Sequence, residues 1–178
     1  MSLFTENIGM LTYLNTKMCR MFLAIINPTL ACQIGNVASL PNCETNSSEY
    51  EKSIALQNIS ISKFDWDAHE TSWDFQRNEL LSIDEDTYME NINYEIEKHY
   101  EETGEHICID PAAPQLDSLA WRIEQYKQKW ERKFMQLHKN EEELNRQFID
   151  IYGLQDELTP DVPLNEITIL QQGEISIE

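Results

Sequence analysis

From Leu116 onward, apolar residues recur at intervals of three and four: Leu116, Leu119, Ile123, Tyr126, Trp130, Phe134 and Leu137. That spacing keeps one stripe of a helix apolar for about six turns. A helix cannot bury such a seam against itself, so the rest of the chain, or a partner, must cover it. The outer faces carry Arg122, Lys127, Lys129, Arg132 and Lys133, the one concentration of cations in the sequence.

The segments on either side read as further helices. Residues 7–26 place Ile8, Leu11, Leu14, Met18 and Phe22 on one stripe of a single amphipathic helix, ended by Asn27-Pro28 because a residue preceding proline is driven out of the α region. After it come a short extended segment, a turn at Gly35-Asn36 and one helical turn over Val37–Leu40, with Asn36 as its N-cap and Pro41 as its stop. Residues 42–53 are polar and loop-like, and Ile59 and Ile61 alternate with Ser60 and Ser62 in the manner of a strand.

Phe64, Trp66, Trp73 and Phe75 then crowd together, enough for a small core or a docking surface; core packing is the favoured reading over base stacking, because Asp65, Asp67, Glu70 and Asp74 surround the rings. Residues 85–103 carry Tyr88, Ile92, Ile96 and Tyr100 on one helical edge, capped by Gly104, and residues 110–115 form a break. Asn140 and Glu143 resemble a capping box that restarts the long helix after a kink at Lys139. Leu144, Phe148 and Ile151 continue the stripe to a left-handed cap at Gly153-Leu154, and Pro160 and Pro163 prevent continuation. Segments around Gln171-Gln172-Gly173 suggest a C-terminal hairpin. The expected fold is mainly α with minor β. It is a helical spacer or bundle with short extended segments, divided at 1–41, 42–84, 85–163 and a strand or hairpin segment at 164–178.

Charge limits what such a chain binds. Thirteen Lys and Arg face 32 Asp and Glu, a net −19. The acidity sits in residues 42–115, at net −14, and in 147–178, at net −7, while 1–41 and 116–146 are each at net +1. An acidic surface repels phosphate, so nucleic-acid contact is expected only where cations gather. Lys17 and Arg20 on the first helix and Lys129 and Lys133 on the long one are the candidates for DNA phosphate contact.

No catalytic, cofactor or metal constellation emerges. Five scattered glycines supply no phosphate loop. Cys19, Cys32, Cys43 and Cys108 include no Cys-x-x-Cys pair, and His69, His99 and His106 lack ligand spacing. Asn15, Lys17 and Arg20 interrupt the apolar part of 10–26, which argues against a signal peptide or a membrane span; a cytoplasmic protein with reduced thiols is the expectation.

Three blocks, "LTYLNTKMCRMFLAIINPTLACQIGNVASLP", "SKFDWDAHETSWDF" and "NEEELNRQFIDIYGLQDELTPDV", together resemble the region after the catalytic domain in PglX-type adenine-specific DNA methyltransferases of bacteriophage-exclusion (BREX) systems. The first block is also similar to the closing segment of a target-recognition domain in restriction specificity subunits. The resemblance implies, for the full-length family, methyl transfer from S-adenosylmethionine to a target adenine in double-stranded DNA. That family's Asn-Pro-Pro-Tyr/Phe loop and Gly-rich cofactor loop have no counterpart here. Thr29 and Leu30 follow Asn27-Pro28, so Asn27 reads as the end of a helix rather than an adenine ligand. The resemblance therefore implies a non-catalytic fragment, inactive alone, with duty in recognition or scaffolding. Its partners would be the remainder of the methyltransferase chain or other defence-system proteins. A stand-alone acidic helical protein-interaction module is the alternative that charge favours.

Overall fold

The computed structural model describes residues 8–29, 33–41, 49–112, 114–167 and 169. Its regular structure is helical: α1 Ile8–Leu14, α2 Lys17–Ile26, α3 Ile34–Ala38, α4 Glu49–Asp67, α5 Glu85–Thr103 and α6 Leu119–Tyr152, with 3-10 turns at Glu79–Ser82 and Leu164–Glu166. The mainly α expectation holds, and no strand occurs among the described residues. Two compact units are present, Met1–Ile61 with Leu137–Ile167 and Ser62–Gln136 with Thr168–Glu178, so that α4 and α6 each contribute to both.

In the first unit, the expected single helix over 7–26 is two helices. Thr16 leaves the α region (φ −80°, ψ 154°), its hydroxyl accepts from Cys19 N and donates to Tyr13 O, and it thereby N-caps α2. The next N–H, that of Lys17, would also be orphaned at a helix start; Asn145 Oδ1 on α6 accepts it at 2.9 Å. The break turns Tyr13, Met18 and Cys19 inward to pack with Leu40 and Phe148. Tyr13 lies 5.9 Å from the Phe148 ring and 6.2 Å from that of Tyr152. The Tyr13 and Tyr152 hydroxyls both donate to Pro41 O, at 2.9 and 3.0 Å, so each ring buries its body and places its polar tip.

Asn36 does cap, though not where the sequence suggests. α3 begins earlier, with Gln33 as N-cap, and Asn36 at its third position accepts from Gln33 N at 2.9 Å. Residues 30–32, where an extended segment was expected, lie outside the described residues, as do 42–48 of the expected loop, whose remaining residues 49–53 instead open α4.

The strand expected at Ile59–Ile61 is instead the interior of α4. Ile54 and Ile61 are seven residues apart, two helical turns, and both are buried, whereas Ile59 is 39 % exposed. A four-residue alternation fits either period, and here the longer one prevails. Nor does α6 kink at Lys139: it is one helix of 34 residues. Asn140 is buried inside it, its amide donating to Gln57 Oε1 and Asn58 Oδ1 of α4 at 2.8 and 2.7 Å. With its side chain committed to another helix, Asn140 has no capping role to play.

The C-terminal end of α6 follows the sequence reading. Gly153 adopts φ 66°, Leu154 N donates to Ile149 O and Gly153 N to Asp150 O, the paired bonds of a Schellman cap. The chain then returns along α6 and is held by residues on one helical face. His138 Nε2 pairs with Val162 O at 2.7 Å, Val162 N donates to Glu142 Oε1 at 3.0 Å, and Asn145 Nδ2 donates to Pro160 O at 3.3 Å. Of the strand or hairpin segment expected at 164–178, Leu164–Glu166 forms a 3-10 turn, and residue 168 and residues 170–178 lie outside the described residues.

In the second unit, α5 is N-capped by Asp84, whose carboxylate accepts from Thr87 N, and closed by Gly104 at φ 73°. Tyr88 meets Trp121, Asn91 meets Gln125 and Lys98 meets Glu131, so the pairing advances in the same sense along both helices and α5 runs parallel to this part of α6. Parallel helices need a connection at least one helix long, and residues 104–118 supply it: α5 spans about 28 Å, and an extended chain of that length reaches further. The Asn91 amide, 1 % exposed, donates to both Gln125 O and Gln125 Oε1 at 3.0 Å. Trp130, 2 % exposed, is packed by Phe64 at 5.5 Å and Tyr126 at 6.1 Å. The long seam is thus covered inside the chain around Trp130 and Leu137, while Leu116 lies before the helix start and Leu119 is 63 % exposed.

Two substitutions test this packing. Phe148→Ala should cost about 3–5 kcal/mol, the range for emptying a buried aromatic site, read as a lower urea midpoint. Asn145→Ala leaves Lys17 N and Pro160 O without their partner and should cost about 1–3 kcal/mol with an unchanged urea slope; a midpoint equal to that of the unsubstituted chain would refute the capping role.

Candidate nucleic-acid interface

The four cations named as phosphate candidates fall into two pairs, one in each unit, and each is already engaged. Lys17 Nζ donates to Asp161 O. Arg20, whose side chain is 72 % exposed, pairs with Glu166 at 2.8 Å. Glu141 also acts on Arg20 from α6. Burial pushes the Glu141 carboxyl above its ordinary range, while His138 and Arg20 pull it back. A phosphate arriving at Arg20 would therefore exchange places with Glu166, and the guanidinium, with its fork of donors, is suited to that exchange.

Lys129 and Lys133 are far less open. Lys129 pairs with Glu79 at 3.0 Å, the two side chains being 12 % and 17 % exposed. Both ammonium groups lie over the Phe64 ring, at 4.9 Å for Lys129 and 4.4 Å for Lys133. Burial, with Lys129 and Arg132 close by, pushes the Lys133 amine below the usual lysine range. These two lysines hold an aromatic ring in place before they do anything else. Of the four, Arg20 is the one exposed over its whole residue.

Asn27 is the C-cap residue of α2, as its position before proline suggests. Its Oδ1 accepts from Thr29 N at 3.1 Å and from the Thr29 hydroxyl at 2.7 Å, the geometry of an Asx turn. Its acceptor is spent on the turn rather than held out to a base.

The aromatic cluster corrects the core-packing expectation. Phe64 and Phe75 are half-buried, but Trp66 is 62 % exposed and Trp73 is fully exposed. Sequence reasoning also passed over Arg77, an exposed cation whose Nε donates to Ser82 Oγ at 2.9 Å, and His138, which clamps the returning chain. A lone Arg in an acidic loop and a lone His in a helix give no periodic signal by which either is found. Of the other histidines, His106 stacks on Tyr100 at 4.4 Å and His69 Nδ1 lies 2.8 Å from Asp65 O. Among the described residues, no three His, Cys, Asp or Glu side chains converge as metal ligands. Nor is any helix among them long and apolar enough to cross a membrane.

The raised Glu141 carboxyl has a sign that can be tested. The folded state holds this proton more tightly than the unfolded state, so its contribution favours folding in acid and is lost as pH rises from the ordinary glutamate range through the folded value. Glu141→Gln should therefore raise the melting temperature at neutral pH, with the advantage shrinking as pH falls through the raised folded value toward the ordinary glutamate range. Thermal melts between about pH 4 and 8 check this, and an advantage independent of pH would count against it.

No protein-family profile matches the chain, and no solved structure matches it. Known proteins do. Over 163 residues, 89 % of this chain, it is 32 % identical to the adenine-specific methyltransferase PglX of Lacticaseibacillus casei (strain Zhang), covering 11 % of that relative. Over 73 residues, 41 % of this chain, it is 36 % identical to the adenine-specific methyltransferase BrxX of Escherichia coli O9:H4 (strain HS), covering 6 % of that one. The chain thus spans about a tenth or less of the length of the relatives it matches. Along nearly its whole length it is homologous to a stretch of the PglX adenine-specific methyltransferase, and over 41 % of its length to a stretch of BrxX.

Proposed function

We propose that this chain acts as a non-catalytic part of an adenine-specific DNA methyltransferase of the phage-defence (BREX) type, helping to hold the enzyme on double-stranded DNA or serving as its scaffold. The observation that carries the reading is the alignment, which takes up 89 % of this chain and 11 % of the PglX relative. In such an enzyme S-adenosylmethionine and the flipped adenine would be handled by residues in the remaining nine-tenths. Residues 1–41 would form the end of a recognition segment, and 85–163 a helical spacer. The setting would be the cytoplasm, where the DNA and the other defence proteins are.

Side-chain geometry supports this division of labour. Asn27 spends its amide oxygen on Thr29, which leaves it unsuited to bind an adenine amine. The polar groups buried on α6, namely Gln125, Asn140 and Asn145, are engaged with Asn91, α4 residues and the returning chain, as suits a structural spacer.

Arg20 is the residue on which DNA contact is staked, with Lys17 beside it on α2 and Lys129 and Lys133 as lesser contributors. In the complete enzyme containing this segment, Arg20→Glu should weaken binding to a labelled duplex and lower the slope of log affinity against log salt by about 1. Lys129→Glu should do less to the slope and more to stability, because that ammonium is paired with Glu79. Affinity and salt slope both unchanged by Arg20→Glu would overturn the DNA-contact reading and leave scaffolding as the role.

A further inference from the structure

Trp73 is held out in solvent by a bonded loop. Lys63 on α4 donates to Asp67 at 2.5 Å and to Asp74 at 3.1 Å, closing the chain that follows the helix. Ser72 Oγ donates to Asp67 Oδ1 at 2.8 Å and accepts from Asp74 N at 3.2 Å. The residues on both sides of Trp73 are therefore pinned back to the end of α4, Ser72 being 9 % exposed, while the indole between them is fully exposed. Beside it opens a cleft of about 690 Å³ lined by Phe64, Phe75, Arg77 and Glu79 among others.

A large indole left in water gives up the gain of burial, and a loop that fixes it there has removed the entropy that a partner would otherwise have to extract. Tryptophan in such a setting is characteristic of the few residues that dominate protein interfaces. We infer that the Trp73 loop and its cleft form a docking site for a basic, apolar-studded segment of a protein partner. The indole would enter an apolar notch of that segment, and the surrounding carboxylates would meet its Lys or Arg side chains.

Charge selects the occupant. Residues 62–82 hold Lys63 and Arg77 against five carboxylates, with Glu79 matched by Lys129, and the wider stretch of 42–115 stands at net −14. Lys63 is already neutralised by Asp67 and Asp74, and the Asp74 side chain remains 72 % exposed. Duplex DNA and anionic membranes would be repelled, and a second copy of this chain would bring the same sign of charge to the contact. A cationic polypeptide is the one class of macromolecule whose charge and apolar groups both fit.

The test uses the full 178-residue chain and a fluorescein-labelled peptide alternating arginine with leucine, followed by anisotropy. A peptide of equal charge with glycine in place of leucine, and a labelled DNA duplex, are measured alongside. The arginine–leucine peptide should bind more tightly than its glycine counterpart, and Trp73→Ala should weaken it by about tenfold or more. Trp66→Ala, altering a ring that does not line the cleft, should change binding by less than about twofold. Because the indole stands in solvent, Trp73→Ala should melt with the unsubstituted chain, so that lost binding is not lost folding. Equal binding by Trp73→Ala, equal binding of the two peptides, no peptide binding, or duplex binding that depends on Trp73 would each overturn the inference.

Discussion

The structure depends on α6 remaining one helix. Its 34 residues extend about 50 Å, and no stretch of that length buries its apolar side by local contacts. Each compact unit takes one part of it: Leu119–Gln136 receives α5 and the end of α4, whereas Leu137–Tyr152 receives α2, the earlier part of α4 and the returning chain. Trp130 and Phe148 are the large apolar anchors of the two parts. Asn140 caps no restarted helix here. Its amide goes instead to Gln57 and Asn58, which fixes α4 against α6 at the one place where the sequence suggests a break.

Buried amides recur along α6 at Gln125, Asn140 and Asn145, each bonded to a different segment. Apolar side chains set how much surface is buried but tolerate sliding by a turn; an amide in a dry interior does not, because a shift leaves its donor or acceptor unpaired. These residues supply register where the apolar stripe alone would leave several alignments close in energy. Asn145 carries two such tasks at once, supplying the acceptor for the first N–H of α2 and a donor to the chain returning past Pro160.

Much of the fold was legible where a residue type has one physical use. Gly104 and Gly153 end helices with positive φ, and the helices α5 and α6 appear at their expected places, although Tyr100, Leu119 and Ile151 of the expected stripes are exposed. What failed was reading polar residues whose partner lies far along the chain. Thr16 is a plain threonine until Asn145 supports the helix start beside it, and Asn140 resembles a cap until α4 claims its amide. The Ile-Ser-Ile-Ser run was too short to separate two periods. For the candidate site, composition located the cations but not their engagement: Lys129 and Lys133 look exposed on a helical wheel, yet Phe64 and Glu79 lie against them. The aromatic cluster misled for a related reason. Ring density suggests a core, but Lys63, Ser72 and Asp74 hold the loop closed and leave Trp66 and Trp73 outside.

The distribution of charge ties these findings to function. A chain at net −19 makes a poor DNA-binding domain in isolation, and most of its cations are already matched by carboxylates or rings. Were the chain part of a methyltransferase whose other parts carry the substrate, as proposed, that would be a reasonable arrangement. An acidic segment does not compete for phosphate with the recognition surface, and it is drawn to whatever basic surface lies within reach. On the proposed reading, Arg20, balanced between Glu166 and solvent, would gain a phosphate contact by exchanging one anion for another. Trp73, with no comparable conflict, belongs to the acidic face. The two residues therefore make opposite demands on a partner, an anion at one and a cation with apolar neighbours at the other, and a single class of ligand would not satisfy both.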